Sequence, residues 1–266
     1  MESPLVNVIL PSYNHSNFIS QSIKSVLNQT YPNIELIVID DGSKDNSPRI
    51  IRELQQKFKF KFIERANKGL VNTYNELLEN ISGNYVAIIE SDDLWCIDKI
   101  EKQVRFLEKN KDYAGCGGNV LNINEEGNIL SNYFQRFNSF KSYYFKDIIT
   151  FQSALPSITM MFRAELIKSI TPYPNQLKFI DLYNHLHLTA KGYKIALLPD
   201  LLGFYRVHKN NTTKNNKLML LGKLDTLRHF NKDVDYKKGV FKCYKNYYLH
   251  KLLFFIPKSI FPFKRT

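Results

Sequence analysis

Through the N-terminal third of the chain, apolar residues come in short runs, and each run stops at a cluster of polar residues. Val6-Asn7-Val8-Ile9-Leu10 reads as a buried strand that ends in the turn cluster Pro11-Ser12-Tyr13-Asn14. Ile34-Glu35-Leu36-Ile37-Val38-Ile39 reads as a second strand, stopping at Asp40-Asp41-Gly42-Ser43. A short strand is expected over 61–64, and another over 85–89 ends at Glu90-Ser91-Asp92-Asp93. Helical spacing fills the gaps. Ile19, Ile23, Val26 and Leu27 share one face of a helix predicted over 18–29, with Ser16 or Asn17 as its cap. Further helices are predicted over 47–58 and 71–80. Strands alternating with helices imply a parallel sheet covered on both faces, with ligands bound beyond the carboxyl ends of the strands.

In such a sheet the three polar clusters share one edge. Turn formation accounts for any one of them. Together they gather carboxylates that repel one another unless a cation or a donor-rich ligand sits among them. Hard oxygen ligands suit magnesium or manganese, completed by substrate phosphates. The residues alone thus suggest a site for nucleotide phosphates and a divalent metal.

Composition changes the picture mainly through charge. The 266 residues are 44% hydrophobic and 23% charged, which excludes disordered, collagen-like and disulfide-rich classes. Lys and Arg number 37 against 25 Asp and Glu, a net charge of +12. Residues 1–213 hold 24 basic and 22 acidic side chains, whereas 214–266 hold 13 and 3. The excess therefore belongs to a tail, which removes the basis for inferring nucleic-acid binding from total charge and points to an anionic surface. Cys96, Cys116 and Cys243 are scattered and form no CxxC pair, which suits a reducing compartment. Met1-Glu2-Ser3-Pro4 lacks the pattern of a signal peptide. The apolar stretch 249–263 is broken by His250, Lys251, Pro257, Lys258 and Pro262, too often for a span of ~20 apolar residues. A cytoplasmic protein is expected.

The tail carries two helical patterns after a polar loop at 209–217. Leu218, Leu221, Leu224 and Leu227 form one apolar face. In the second, Phe241, Tyr244, Tyr248, Leu252 and Phe255 recur at helical spacing, with Lys238, Lys242 and Lys245 opposite. Two readings stand side by side. Either the aromatic face, with Phe254, Ile260, Phe261 and Phe263, lies in a membrane interface, or the aromatics pack on the preceding domain.

The strand-end residues carry a family resemblance. Val6 to Asn14, then Ser25-Val26-Leu27-Asn28-Gln29-Thr30-Tyr31-Pro32, then Glu35 to Ser43 resemble the opening of the family 2 glycosyltransferases, which have the GT-A fold. Asn67-x-Gly69, Asn75 and Gly83-Asn84-Tyr85 fall where that family keeps similar residues. The ordered set covers the first ~100 residues and continues more loosely to about residue 213. The resemblance implies an α/β GT-A domain, a Rossmann-like mixed sheet flanked by helices, over 1–213. Its nucleotide-sugar half would occupy about 1–113 and its acceptor half about 114–213, with 214–266 a basic, aromatic helical extension.

It also implies an inverting transferase. A nucleotide-sugar donor, expected to be UDP-linked, would give up its sugar to a hydroxyl of a glycan or lipid-linked glycan in surface polysaccharide or lipooligosaccharide synthesis. Pro11, Ser12 and Tyr13 would line the uracil and Asp41 would hydrogen-bond it, with Asn67, Ser91, Asp92 and Arg206 completing the nucleotide contacts. Tyr13 can stack on a base, and its alternative is to pack against the following helix. The family's Asp-x-Asp metal motif is here Glu90-Ser91-Asp92-Asp93. Asp92, Asp93 and Glu90, with His208 from Tyr205-Arg206-Val207-His208, would hold Mn2+ or Mg2+ against the diphosphate leaving group. The family's Glu-Asp pair is Ile180-Asp181, which makes Asp181 the base for the acceptor hydroxyl, or else a helix cap. His185 and His187 lie nearby, on a mixed helix face. Ser157 to Arg163 echoes an acceptor-side strand.

Three rivals accompany this reading. A nucleotidyltransferase could use the same acidic edge, although no Gly-rich loop follows the first strand. A catalytically impaired relative would fit the departures at Glu90 and Ile180. A nucleic-acid-binding module would rest on the basic tail alone. The expected partners are the donor, the glycan acceptor and, through 214–266, an anionic membrane at its cytoplasmic face; nucleic acid is not expected.

Overall fold

Four parallel strands form the half of the sheet that the apolar runs predict. They are β1 (Val6–Ser12), β2 (Ile34–Asp40), β3 (Lys61–Glu64) and β4 (Tyr85–Ile88), ordered β3-β2-β1-β4. The computed structural model describes residues 3–135, 138–151, 155–209, 211 and 214–255. Connections run through α1 (Ile19–Leu27), α2 (Ser47–Lys57) and α3 (Leu70–Glu79). Alternate residues serve opposite faces, so the strands must be apolar on both. Val8, Leu10 and Val38 pack with Ile23 and Ile51, while Ile9, Ile37 and Ile39 pack with Val71, Tyr74 and Leu77. Neither Ser16 nor Asn17 caps α1. The His15 carbonyl accepts the amides of Phe18 and Ile19 instead, and Phe18 becomes the N-cap.

The second half departs from an all-parallel sheet. After β5 (Leu94–Trp95) and α4 (Lys99–Lys109) come β6 (Tyr113–Ile123), β7 (Ile129–Gln135), β8 (Lys141–Tyr143) and α5 (Phe145–Ile149). β9 (Met161–Arg163), α6 (Ala164–Lys168), α7 (Ile180–Ala190) and β10 (Lys194–Arg206) follow. β9 lies antiparallel between β4 and β6, making the sheet mixed. Gly115 permits this approach, since a Cβ there would sit 2.6 Å from the Met161 carbonyl oxygen. Arg163 then closes the end of α4, donating to the carbonyls of Leu107, Asn110 and Tyr113.

The tail forms α8 (Asn216–Arg228) and α9 (Tyr236–Phe255), and both helices pack on the body of the protein. Leu224, Leu227 and Cys243 join the buried cluster that contains Ile149, Tyr183 and Leu186. Leu221 stays half exposed. α9 seats itself through Gly239, Val240 and Cys243, leaving Phe241, Tyr244 and Tyr248 on its outer side with Phe241 68% exposed. The helix therefore docks on the domain, but not through the aromatic stripe that the packing reading expected to make the contact. No described helix is long and apolar enough to cross a membrane. Residues 256–266, with Ile260, Phe261 and Phe263, and the side chains of Leu252, Phe254 and Phe255, lie outside what the structure describes.

A Cβ on Gly239 would overlap the backbone carbonyl of Ile149. Gly239→Ala gains ~1 kcal/mol of helix propensity but must push two backbones apart, an overpacking cost of about 1–3 kcal/mol. The variant is expected to unfold at lower urea than the parent and to exchange its α9 amides faster by mass spectrometry.

Candidate active site

The parallel register places the ends of β1 and β2 side by side, Ser12 opposite Asp40. Ser12 Oγ donates to the Asp40 carboxylate at 3.0 Å, and Ser43 adds its amide at 2.8 Å and its hydroxyl at 2.7 Å. Asp41 accepts the amides of Lys68 at 2.8 Å and Gly69 at 2.9 Å, and is paired with the Arg65 guanidinium. Asn67 donates to the Asp41 carbonyl at 2.8 Å. Both aspartates are thus satisfied by the protein and fix the 65–69 loop, so they do not join one acidic cluster awaiting a cation. Pro11 and Ser12 are buried beside them, whereas Tyr13 is 48% exposed.

The Glu90–Asp93 loop is organised differently. His208 Nε2 lies 2.8 Å from the Asp92 carboxylate, and His15 Nδ1 lies 2.7 Å from Ser91 Oγ. His15, Asp92 and His208 each bring one ligand atom within 4.8 Å of the others, and they are the metal-capable cluster among the described residues. Two imidazoles and a carboxylate fit a divalent transition metal that keeps positions free for phosphate oxygens. Asp93 and Glu90 stand outside that cluster. The Asp93 carboxylate accepts the Arg206 amide at 2.9 Å, and Glu90 accepts the Tyr74 hydroxyl at 2.7 Å. Arg206, expected at a phosphate, is fully buried. Its guanidinium donates to the carbonyls of Asp92, Asn124 and Glu125 and to the Gln21 amide oxygen, so it braces the metal loop from behind. His15 is the residue that sequence reasoning missed. Its signal was its place immediately after the first strand-end cluster, on the edge where the acidic loop arrives.

A cavity of about 330 Å³ connects these groups with α7. His15, Asp92 and His208 line one side; Asp181, Asn184 and His185 line another. Asp181 lies in the first turn of α7, whose N-cap is Phe179, so the residue does not serve as the cap. Burial raises the Asp181 pKa above the usual carboxylate range. Burial alone drives His185 down to about 3, leaving a neutral imidazole. His187, lowered to about 4 chiefly by burial, faces the Tyr183 ring at 4.0 Å and does not line the cavity. Ile180, standing where the family keeps Glu, is buried in the cavity wall. The tail reaches this site too. Met219 of α8 lines the cavity, and a Cβ on Gly222 would overlap the Phe179 ring.

Glu90 is pushed up to about 7, first by burial and then by the charges of Asp92 and Asp181, against the opposing Tyr74 hydrogen bond. Between the ordinary Glu pKa and about 7, the folded chain keeps a proton that the unfolded chain releases. Stability therefore falls as pH rises through that window. Glu90→Gln cannot ionise. In metal-free protein it is expected to match the parent below pH 4 and exceed its unfolding free energy above pH 7 by about 3 kcal/mol, read from urea titrations across pH.

The family described as Glycosyl transferase family 2 matches residues 7–169, more than half of the chain. An uncharacterised glycosyltransferase of Methanocaldococcus jannaschii is 28% identical over 262 residues, covering 96% of this chain and 87% of its own. The putative teichuronic acid biosynthesis glycosyltransferase TuaG of Bacillus subtilis is 30% identical over 221 residues, covering 80% and 82%. Among solved structures, the mannosyltransferase PcManGT of Pyrobaculum calidifontis, in complex with GDP-Man and Mn2+, superposes with a TM-score of 0.70 at 18% identity over 94% of this chain and 71% of its own. TarS 1–349 of S. aureus, in complex with UDP-GlcNAc, gives 0.63 at 19% identity over 84% and 66%. The mixed sheet with its flanking helices is the GT-A fold of these neighbours, and the chain belongs to glycosyl transferase family 2.

Proposed function

We propose that this protein is a metal-dependent inverting glycosyltransferase. It moves a hexosyl or N-acetylhexosaminyl group from a UDP-sugar to a hydroxyl of a glycan or lipid-linked glycan in cell-surface polysaccharide synthesis. One observation carries the reading: Asp181 and the His15–Asp92–His208 cluster line the same cavity. TuaG, assigned to teichuronic acid biosynthesis, and TarS, bound to UDP-GlcNAc, support the polysaccharide and UDP parts of it.

The chain's own residues divide the work. Pro11, Ser12 and exposed Tyr13 offer a wall and a stacking face for the base, beside the loop that Asp41 and Asn67 hold in place. Asp92 and His208 would hold the divalent cation, which when bound neutralises charge on the departing diphosphate. Asp181 takes the proton from the acceptor hydroxyl as that oxygen attacks the anomeric carbon. A half-buried carboxylate with a raised pKa is the stronger base for this task. The His185 imidazole lines the same cavity with its pKa lowered to about 3, which makes it a weaker proton acceptor than Asp181. Asp93 and Arg206 fix the Asp92 backbone. Cytoplasmic placement follows from the same reading, with α9 resting its exposed Phe241, Tyr244 and Tyr248 and neighbouring lysines on an anionic leaflet.

Asp181→Asn is expected to lower sugar transfer by about 10²–10⁴-fold while UDP still raises the melting temperature as in the parent. Unchanged turnover would remove Asp181 from the reaction, and a parent inactive with every UDP-sugar would leave the impaired-relative reading. On the surface, the full chain is expected to co-sediment with phosphatidylserine vesicles and not with phosphatidylcholine ones. Replacing Lys237, Lys238 and Lys245 by Glu should abolish that binding, since each lysine contributes ~1 kcal/mol near such a surface.

A further inference from the structure

We infer that His15 is a third protein ligand of the divalent cation and that it makes the site selective for Mn2+ over Mg2+. This deepens the metal-dependent reading above and rests on it. The resemblance that located the metal motif offered only oxygen ligands and one late histidine, whereas the folded chain presents two imidazoles and one carboxylate.

His15 is held from several directions. Its backbone amide donates to Ser47 Oγ at 3.1 Å, and its Nδ1 meets Ser91 Oγ at 2.7 Å. Its ring stands edge-on to His208, with centroids 5.7 Å apart and an interplanar angle of 85°. In the proposed site Nδ1 donates to Ser91 and Nε2 offers its lone pair to the ion, the arrangement in which an outer hydrogen bond orients a metal-binding imidazole. Ser91 thus acts through His15 as a positioning residue. The cluster spacing suits an ion. The three ligand atoms lie within 4.8 Å of one another, and the 2.8 Å contact between His208 Nε2 and the Asp92 carboxylate is a hydrogen bond whose place the ion would take. The three ligands come from the ends of β1 and β10 and from the loop after β4, so they meet only at the sheet edge.

Ligand chemistry then decides the ion. Mg2+ favours oxygen and gives up its water reluctantly. Each imidazole nitrogen shifts preference toward the first-row transition metals. Mn2+ accepts nitrogen and phosphate oxygen together, which a nucleotide diphosphate requires.

The test uses the full chain with UDP present. Mn2+ affinity is read from the free-ion paramagnetic resonance signal, Mg2+ affinity by competition, and bound nitrogens by electron spin echo modulation. The parent is expected to show two directly bound imidazole nitrogens and at least tenfold tighter binding of Mn2+ than of Mg2+. His15→Ala should show one nitrogen, bind Mn2+ at least tenfold more weakly and prefer Mn2+ over Mg2+ by a smaller factor than the parent. His15→Asp, a polar replacement that offers oxygen in place of nitrogen, should also show one nitrogen, and it decides the question if the alanine variant does not fold. Two bound nitrogens and parental Mn2+ affinity in a folded His15 variant would overturn the inference. Failure of the parent to bind either ion would instead strike the metal-dependent reading itself.

Discussion

A buried guanidinium needs acceptors for its donors, and Arg206 finds four of them by gathering the loops on which the site depends. Its side chain reaches the carbonyls of Asp92, Asn124 and Glu125 and the amide oxygen of Gln21, and the group sits 4.9 Å over the Phe18 ring. Its backbone amide meets Asp93, and its carbonyl accepts Asn211, which in turn takes the His208 amide. One residue at the end of β10 therefore sets the position of Asp92, Asp93 and His208 together. Leaving such a charge unpaired in the interior would cost several kcal/mol, so these loops have little freedom to move apart.

The same logic runs along the whole sheet edge. Asp40 and Asp41 face hydroxyls, amides and Arg65, and they behave as loop anchors. Asp93 is buried and Glu90 half-buried; both have raised pKa values and each has one hydrogen-bond donor at hand. Only Asp92 meets imidazoles. Carboxylates that look alike in the chain are thus sorted by their partners into anchors, a buried proton reservoir and a ligand.

The C-terminal helices belong to this arrangement as well. α8 lays Gly222 on Phe179, the residue that starts α7, and brings Met219 to the cavity. α9 closes over α5 and leaves its aromatic stripe outward. Whatever touches that stripe is mechanically one helix removed from the wall that carries Asp181.

The sequence by itself determined the elements of the N-terminal half. The apolar runs, their 3.6-residue alternates and their polar stops are local properties, and β3 falls on the residues that the pattern predicts. The polar stops marked Asp92 as chemistry-bearing, whereas Asp181 and His208 were marked by the resemblance to the family. Tertiary structure alone decided the rest. β9 runs antiparallel because Gly115 lets it approach, Arg206 turns inward because carbonyls await it, and His15 meets His208 from the far end of the chain. Pairings of that kind depend on which surfaces the packed sheet brings together and on the cost of leaving a buried donor or charge unmatched, and neither is written in the spacing of residues along one strand.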